Sequence, residues 1–436
     1  MSTPHLIDEL QSRGLIAQMT GEQELRAHLA SGSRTLYCGF DPTADSLHLG
    51  HLVPLLILRR CQLAGHKPIA LVGGATGLIG DPSFKAQERK LNTADTVQGW
   101  VDRLQGQISR FLDFDGPHGA TIVNNLDWIG EISTLDFLRD VGKHFAVNQM
   151  IKKESVQQRI DRDGAGISYT EFSYMLLQSY DFAELNKRHG CSLQIGGSDQ
   201  WGNITEGIDL SRRMNGEQVF GFTVPLITKS DGTKFGKTES GAVWLDANKT
   251  SPYAFYQFWL NTADEDVFRF LRYFTFLDAR VIDGIEATYT NNRADNRASR
   301  EAQKILAKEV TYLVHGEAGL TAAQRITEAL FQGNFEGLTE TDWQQLKQDG
   351  IPFTGLNRQK LESQSLPGVL ADSGLVQSGK HVKDALSRQA VQINGIALPA
   401  ESNLSAASCF TSQAAMFGRF YLVKLGKKKF QLFEVV

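Results

Sequence analysis

Two short stretches of the sequence pair basic side chains at a spacing suited to holding anions. His48-Leu49-Gly50-His51 follows an apolar run and a polar turn and opens a second apolar run, so both imidazoles belong to the first turn of a helix. Free backbone N–H groups and the positive end of the helix dipole meet there, which favours phosphate. Gly50 removes a side chain and would let a flat ring lie against the helix. The same spacing also suits a solvated or capping histidine pair, and no third ligand lies near enough in sequence to make a metal site. In Lys234-Phe235-Gly236-Lys237-Thr238, glycines at 232 and 236 flank the two lysines, a pattern fit for clamping a polyphosphate and equally for a solvated hairpin tip.

A third pattern is a polar stripe. Tyr174, Gln178 and Asp181 stand at i, i+4 and i+7 of a helix that Ser168 or Thr170 can cap, among Phe172, Met175, Leu176, Leu177 and Phe182. Such a stripe faces either water or a polar cavity. Tyr37, Gly39 and Asp41 share one face of a strand, with space opened at Gly39. The run 194–203, QIGGSDQWGN, sets polar groups behind another strand, and Gly73–Asp81 with Lys85 and Arg89 does the same for a third. The glycines of that loop lack dinucleotide-fingerprint spacing, so turn formation and close packing account for most of them.

The elements that must position these residues alternate strand and helix. Strands are expected at 35–40, 68–72, 121–125, 193–195 and 223–228, with a helix at 47–64, the signature of a parallel sheet whose ligands gather at the carboxyl ends of its strands. A mostly helical insertion is expected at about 130–166. Beyond 245 the strand pattern gives way to amphipathic helices to 347, then a polar, glycine- and proline-bearing linker at 348–364. The last part, 365–436, reads as a helix at 378–389, a strand with an Asn394-Gly395 turn at 390–398, and a hairpin turning at 426–427.

The chain has 436 residues, 41% hydrophobic and 22% charged, with a net charge of −4. This is an ordinary globular composition, too long for a disulfide-stapled scaffold and too apolar for a disordered chain. The cysteines 38, 61, 191 and 409 form no CxxC pair, there is no secretory h-region, and no apolar run reaches membrane-spanning length. A cytoplasmic protein is expected. The total charge hides an asymmetry, since the last 72 residues carry +4 and the body therefore −8. Lys380, Lys383, Arg388, Lys427 and Lys428 mark where nucleic-acid phosphates would be met.

Together these residues resemble the bacterial tyrosyl-tRNA synthetases of class I. HLGH matches the HIGH signature and KFGKT the KMSKS signature, while YCGFDPTADSLHLGH, GDPS, SYTEFSYMLLQSYDF and QIGGSDQWGN resemble blocks specific to that family, all in the correct order. The resemblance implies an α/β fold, with a Rossmann-like catalytic domain (1–245), a helical domain (246–347) and a small α+β RNA-binding domain (365–436). It implies activation of tyrosine by ATP, with Mg2+ accompanying the nucleotide and no structural metal, then transfer to tRNA(Tyr) by a homodimer that meets through the insertion.

By the same resemblance, Thr43 and His48 hold the γ-phosphate side, and Lys85, Arg89, Lys234 and Lys237 close over the pyrophosphate. Tyr37 and Asp181 take the phenolic hydroxyl. Asp81, Tyr174 and Gln178 take the ammonium group and Gln200 the carboxylate. Cys38, His51, Gly197 and Asp199 hold the ribose, with Gly39 and Asp41 also among the ATP contacts. Three other readings are weaker. A tryptophanyl enzyme would not need Tyr37 with Asp181 and the basic tail, a decayed RNA-binding relative would be expected to have lost His48, Asp81 or Lys237, and another nucleotidyltransferase would not need the helical and tail domains.

Overall fold

The computed structural model describes residues 5–83, 91–153, 156, 157, 160, 166–233, 235–238, 241–294, 300–400, 404–426 and 429–436. The chain divides into two compact units, one of Met1–Asp246 with Ala263–Ser299 and one of Ala247–Thr262 with Arg300–Val436.

The first unit is built on a six-stranded sheet. Its strands are β1 (Gln18–Met19), β2 (Thr35–Phe40), β3 (Lys67–Val72), β4 (Thr121–Asn124), β5 (Cys191–Gly197) and β6 (Phe220–Val224), in the order β1-β6-β5-β2-β3-β4. All neighbouring pairs are parallel except β1 with β6. Runs such as Phe220–Val224 are buried throughout, as strands covered by helices on both faces must be. The strand expected at 223–228 therefore lies earlier. Pro225 has no N–H to give the ladder and ends it.

The helix Leu49–Leu63 buries ten of its residues and runs unbroken through Pro54. The helix Tyr169–His189 is capped by Ser168, whose side chain accepts from the Glu171 N–H, and ends at Gly190 in the left-handed conformation. Among the described residues the insertion holds the short helical turns Thr134–Asp136, Phe137–Val141, Gly142–His144 and Val147–Met150, with further helical residues at 156, 157 and 160, and adds no strand to the sheet.

Helices Val267–Phe274 and Ala279–Ala294 belong to this first unit, although their sequence groups them with the helical stretch. The reason is a pair of buried guanidinium groups. Arg13 donates to the carbonyls of Arg272 (3.2 Å) and Leu277 (2.7 Å), and Arg60 donates to that of Thr275. These carbonyls sit at the negative end of the Val267–Phe274 helix, where cations are favoured. Glu9 pairs with both arginines.

In the second unit the helices Pro252–Leu260 and Glu301–Gln332 pack together, the latter broken at Gly316, whose φ is 68°. A five-stranded sheet follows, in the order β11-β10-β12-β13-β9, from β9 (Phe353–Leu356), β10 (Val391–Ile393), β11 (Ile396–Ala397), β12 (Phe420–Leu425) and β13 (Lys429–Val435). Asn394 and Gly395 both have positive φ, as a two-residue hairpin turn demands. The stretch expected as a linker is instead structured. β9 pairs in parallel with β13, and a helix follows at Arg358–Ser363. One core also joins helical and sheet residues, with Trp343 stacked on Phe420 at 5.9 Å among Tyr253, Ile326, Phe335 and Leu432. Among the described residues no helix is long and apolar enough to cross a membrane.

Candidate active site

The sheet reverses its direction of growth between β2 and β5, and the carboxyl ends of these two strands open a crevice where ligands of such sheets bind. Tyr37 and Gln194 are register partners there. Asp41 follows β2, Gly73–Asp81 follows β3, Asn125 follows β4 and Ser198–Gln200 follow β5.

At the deep end the Tyr37 side chain is 1% exposed, and its hydroxyl has no hydrogen-bond partner among the described residues. Its ring meets Phe182 edge to face at 5.3 Å. Asp181 accepts from Asn125 Nδ2 at 3.0 Å and from Trp128 Nε1 at 2.8 Å. Burial nevertheless pushes the Asp181 carboxyl up to about 8, against the lowering effect of those two donors. The Tyr37 phenol is likewise held well above its ordinary value, by burial first and by the Asp181 charge second. An unmet buried hydroxyl costs free energy comparable to a lost hydrogen bond, so the place suits a ligand bearing its own hydroxyl.

From Asp181 a chain of polar contacts runs outward. Asn125 Nδ2 donates to Thr76 Oγ1 (3.0 Å), Thr76 donates to Asp41 Oδ1 (2.6 Å), and the Tyr174 hydroxyl donates to Asp41 Oδ2 (2.7 Å). A Cβ at Gly73 would stand 2.0 Å from Asp41 Oδ1, so glycine there is a condition of the contact. A second chain joins Asp81, Gln200, Asn203 and Gln178. Gln200 Nε2 donates to Asp81 (2.8 Å), and Asn203 Nδ2 donates to Gln200 Oε1 (3.1 Å) and Gln178 Oε1 (2.9 Å). Of the expected stripe, Tyr174 and Asp181 are buried and Gln178 half-buried, so it faces these polar contacts rather than solvent. Two acceptors and several amides at this end suit an ammonium and a carboxylate.

At the outer end His48 is the N-cap of the Leu49–Leu63 helix. Its Nδ1 accepts from the Gly50 N–H (3.0 Å), while His51 Nδ1 accepts from the His48 N–H (3.2 Å), and the rings stack 4.0 Å apart. The capping and the chemical readings of the pair are thus compatible. With both Nδ1 atoms accepting, each neutral ring carries its proton on Nε2. Burial and the neighbouring His48 hold His51 well below the usual imidazole range, so it is neutral near pH 7. A Cβ at Gly50 would lie 2.8 Å from the His48 ring, so glycine there makes room for the capping imidazole. Thr43 is exposed in the turn after β2 and lines a recess of about 310 Å³ with Pro42, Gly77, Gly80 and Asn92.

Cys38 is buried, Gly39 is exposed, and Gly197 and Asp199 are half-buried, all beside the same strand ends. A Cβ at Gly197 would meet Asp199 Oδ1 at 2.4 Å. Lys85, Arg89 and Lys234 lie outside the described residues, and of Lys237 the backbone alone is described, in the short ladder of β7 (Lys237–Thr238) with β8 (Gly241–Ala242). In the second unit Lys380, Lys383 and Arg388 are exposed at the helix Gly379–Ser387, with Arg388 paired to Asp384. Lys427 and Lys428 lie outside the described residues. Among the described residues no three His, Cys, Asp or Glu side chains converge as metal ligands.

Sequence reasoning did not single out Thr76, Asn125, Trp128 or Asn203 as parts of this site. Asn125 had a legible sign, a polar residue at the carboxyl end of an expected strand, and Asn203 lay within a stretch already noted. Trp128 had none.

Comparison with known proteins gives the family of the chain. The family of class I tRNA synthetases (W and Y) matches residues 30–332. A tyrosine–tRNA ligase of Aliivibrio fischeri (strain MJ11) is 59% identical over 433 residues, covering 99% of both chains, and one of Pectobacterium carotovorum subsp. carotovorum (strain PC1) is equally similar over 99% of both. Among solved structures, a C-terminally truncated Aspergillus nidulans mitochondrial tyrosyl-tRNA synthetase is similar with a TM-score of 0.67 and 29% identity, over 76% of this chain and 95% of that one. A buried hydroxyl without a partner among the described residues, two chains of polar contacts and a capping histidine pair thus stand in a chain that belongs to the tyrosyl-tRNA synthetases of class I.

Proposed function

We propose that in this tyrosine–tRNA ligase the crevice binds tyrosine along its two hydrogen-bond chains and ATP across the strand ends, so that the two halves of the reaction share one set of fixed groups. Tyr37 and Asp181 receive the substrate phenol, Asp81, Tyr174 and Gln178 its ammonium, and Gln200 its carboxylate. The observation that carries this reading is the Tyr37 hydroxyl, buried and without a protein partner among the described residues. A substrate hydroxyl satisfies it, whereas phenylalanine leaves it unmet. Strong rejection of phenylalanine by such sites is a known general property of tyrosyl enzymes.

In the first step a carboxylate oxygen of tyrosine attacks the α-phosphorus of ATP, forming the acyl-phosphate bond as the bond to pyrophosphate breaks. No protein nucleophile is required, so catalysis consists of alignment and of stabilising charge on the leaving group. Cys38, Gly39, Asp41, His51, Gly197 and Asp199 hold the nucleoside. Thr43, His48, Lys85, Arg89, Lys234 and Lys237 neutralise the polyphosphate, and Mg2+ enters with ATP as part of the substrate. In the second step a terminal ribose hydroxyl of tRNA(Tyr) attacks the activated carbonyl and AMP departs.

The remaining assignments follow the same reading. The catalytic part is 1–245 with the helices Val267–Phe274 and Ala279–Ala294 that the fold adds to it, the rest of the helical part 246–347 and the tail 365–436 present tRNA, and Lys380, Lys383, Arg388, Lys427 and Lys428 meet its phosphates. A homodimer through the insertion is supported by its exposed apolar side chains, Leu135 at 78% and Val147 at 59%, with Tyr169 at 73% just beyond it. The setting is cytoplasmic.

The test is tyrosine-dependent exchange of labelled pyrophosphate into ATP by the pure protein. Exchange with tyrosine is expected. Its absence rejects the reading, and exchange driven by tryptophan redirects it.

A further inference from the structure

Within the KFGKT stretch, Phe235 is seated on a helix that none of the assignments above uses. The Phe235 ring packs edge to face on Phe270 at 4.9 Å and stacks on Phe274 at 5.3 Å, both on the buried side of the helix Val267–Phe274. The same helix holds the approach to that stretch. Asp266 at its N-cap accepts from the Ser230 N–H and hydroxyl at 3.1 Å, and Arg269 donates to the Thr228 carbonyl at 2.7 Å.

On its other side the stretch abuts the first signature. Gly236, with φ of 73°, lies so close that a Cβ there would be 3.1 Å from Leu49 Cβ. The Gly236 carbonyl accepts from the Val243 N–H (2.9 Å), and the Val243 carbonyl from the Leu49 N–H (3.0 Å). Trp244 forms an antiparallel bridge with His48. The seat is itself anchored, because Arg60, on the helix that begins after His48, and Arg13 hold the carbonyls at the far end of the Val267–Phe274 helix.

We propose that Phe235 is a positioning residue for adenylate formation. Its ring, held by Phe270 and Phe274, fixes the backbone of 235–238 against the start of the Leu49–Leu63 helix, so that the two signatures meet ATP in one mutual register. The inference rests on the polyphosphate role given above to this stretch. Positioning groups act on the transition state more than on the ground state, so losing the seat costs turnover and ATP use while leaving the tyrosine pocket intact. Phe235 is half-buried, so its truncation removes the anchor without opening a sealed core.

The test compares Phe235→Ala and Phe235→Met in the full chain by pyrophosphate exchange, with separate titrations of ATP and tyrosine and with thermal unfolding. For alanine we expect kcat about tenfold lower or less still and a raised KM for ATP, with KM for tyrosine within about twofold. Methionine, which also fills the seat, restores most of the loss. An alanine variant with unchanged kcat and ATP KM overturns the proposal, as does a loss shared equally by tyrosine and ATP that methionine does not rescue. The wild-type exchange measured alongside tests the underlying reading separately, since a silent wild type rejects that reading first.

Discussion

The two ends of the crevice solve different problems with different materials. The deep end is made of side chains fixed by one another, since Asp181 is held by Asn125 and Trp128 and Tyr37 is wedged against Phe182. The outer end is made of backbone placement, a helix start capped by a pair of imidazoles with a glycine turn packed close against it. Discrimination between two amino acids needs the first kind, because a buried polar group left unmet is what rejects the wrong one. Charge that develops and departs needs the second, since donors aimed at the transition state act without holding the substrate more tightly.

The sharpest way to break this contrast is to damage the outer end alone. His48→Ala should lower kcat for exchange by about 10²- to 10³-fold while leaving the KM for tyrosine nearly constant. If both parameters shift together, the ends are not independent. A smaller effect is expected at the deep end from Tyr37→Phe. Deleting a hydroxyl that meets no partner among the described residues should raise the KM for tyrosine and weaken selectivity over phenylalanine by about tenfold, the worth of one neutral hydrogen bond. The free protein should unfold at the same temperature as wild type or slightly higher, and a clear fall would mean that the hydroxyl is already satisfied.

The electrostatics of the deep end give a third measurement. The Asp181 carboxyl rises from 3.8 to about 8 on folding. The folded state therefore binds this proton more tightly than the unfolded one, so the associated stability is fully present below about pH 4 and is lost as pH rises through 8. Asp181→Asn should remove that slope from a plot of thermal stability against pH, and an unchanged slope would place its origin elsewhere. The smallest effect on exchange is expected from deleting residues 365–436, which leaves both ends of the crevice in place. Charging of tRNA should fall and the second unit should melt earlier, because Trp343 loses its stack on Phe420 and β9 loses its partner. Undiminished charging would remove the tail from the tRNA contact.

How far the sequence led depended on whether a feature was local. The strand ends, the capped 169–189 helix, the Asn394-Gly395 turn and the residues of both hydrogen-bond chains carrying a signature were legible, because turn chemistry and periodicity act over a few residues. Trp128 was not, since it reaches Asp181 across 53 positions of sequence from a stretch with no motif of its own. Nor was the allotment of Val267–Phe274 to the first unit. That depends on Arg13 and Arg60 donating to main-chain carbonyls more than 200 residues away, and backbone acceptors leave no trace in side-chain identity. The expected linker failed for a related reason, since Phe353–Leu356 becomes a strand only when β13 is there to pair with it.

The four cysteines, noted first for what they do not form, have a use of another kind. All are buried, and burial pushes the Cys38 and Cys191 thiols up to about 12 and raises Cys61 and Cys409 as well. Alkylating reagents consume thiolate, so labelling of the native chain waits on opening. Three of these reporters sit in the first unit and Cys409 alone in the second. The order in which they react is therefore a clock that tells which unit lets go first, built in without adding a probe.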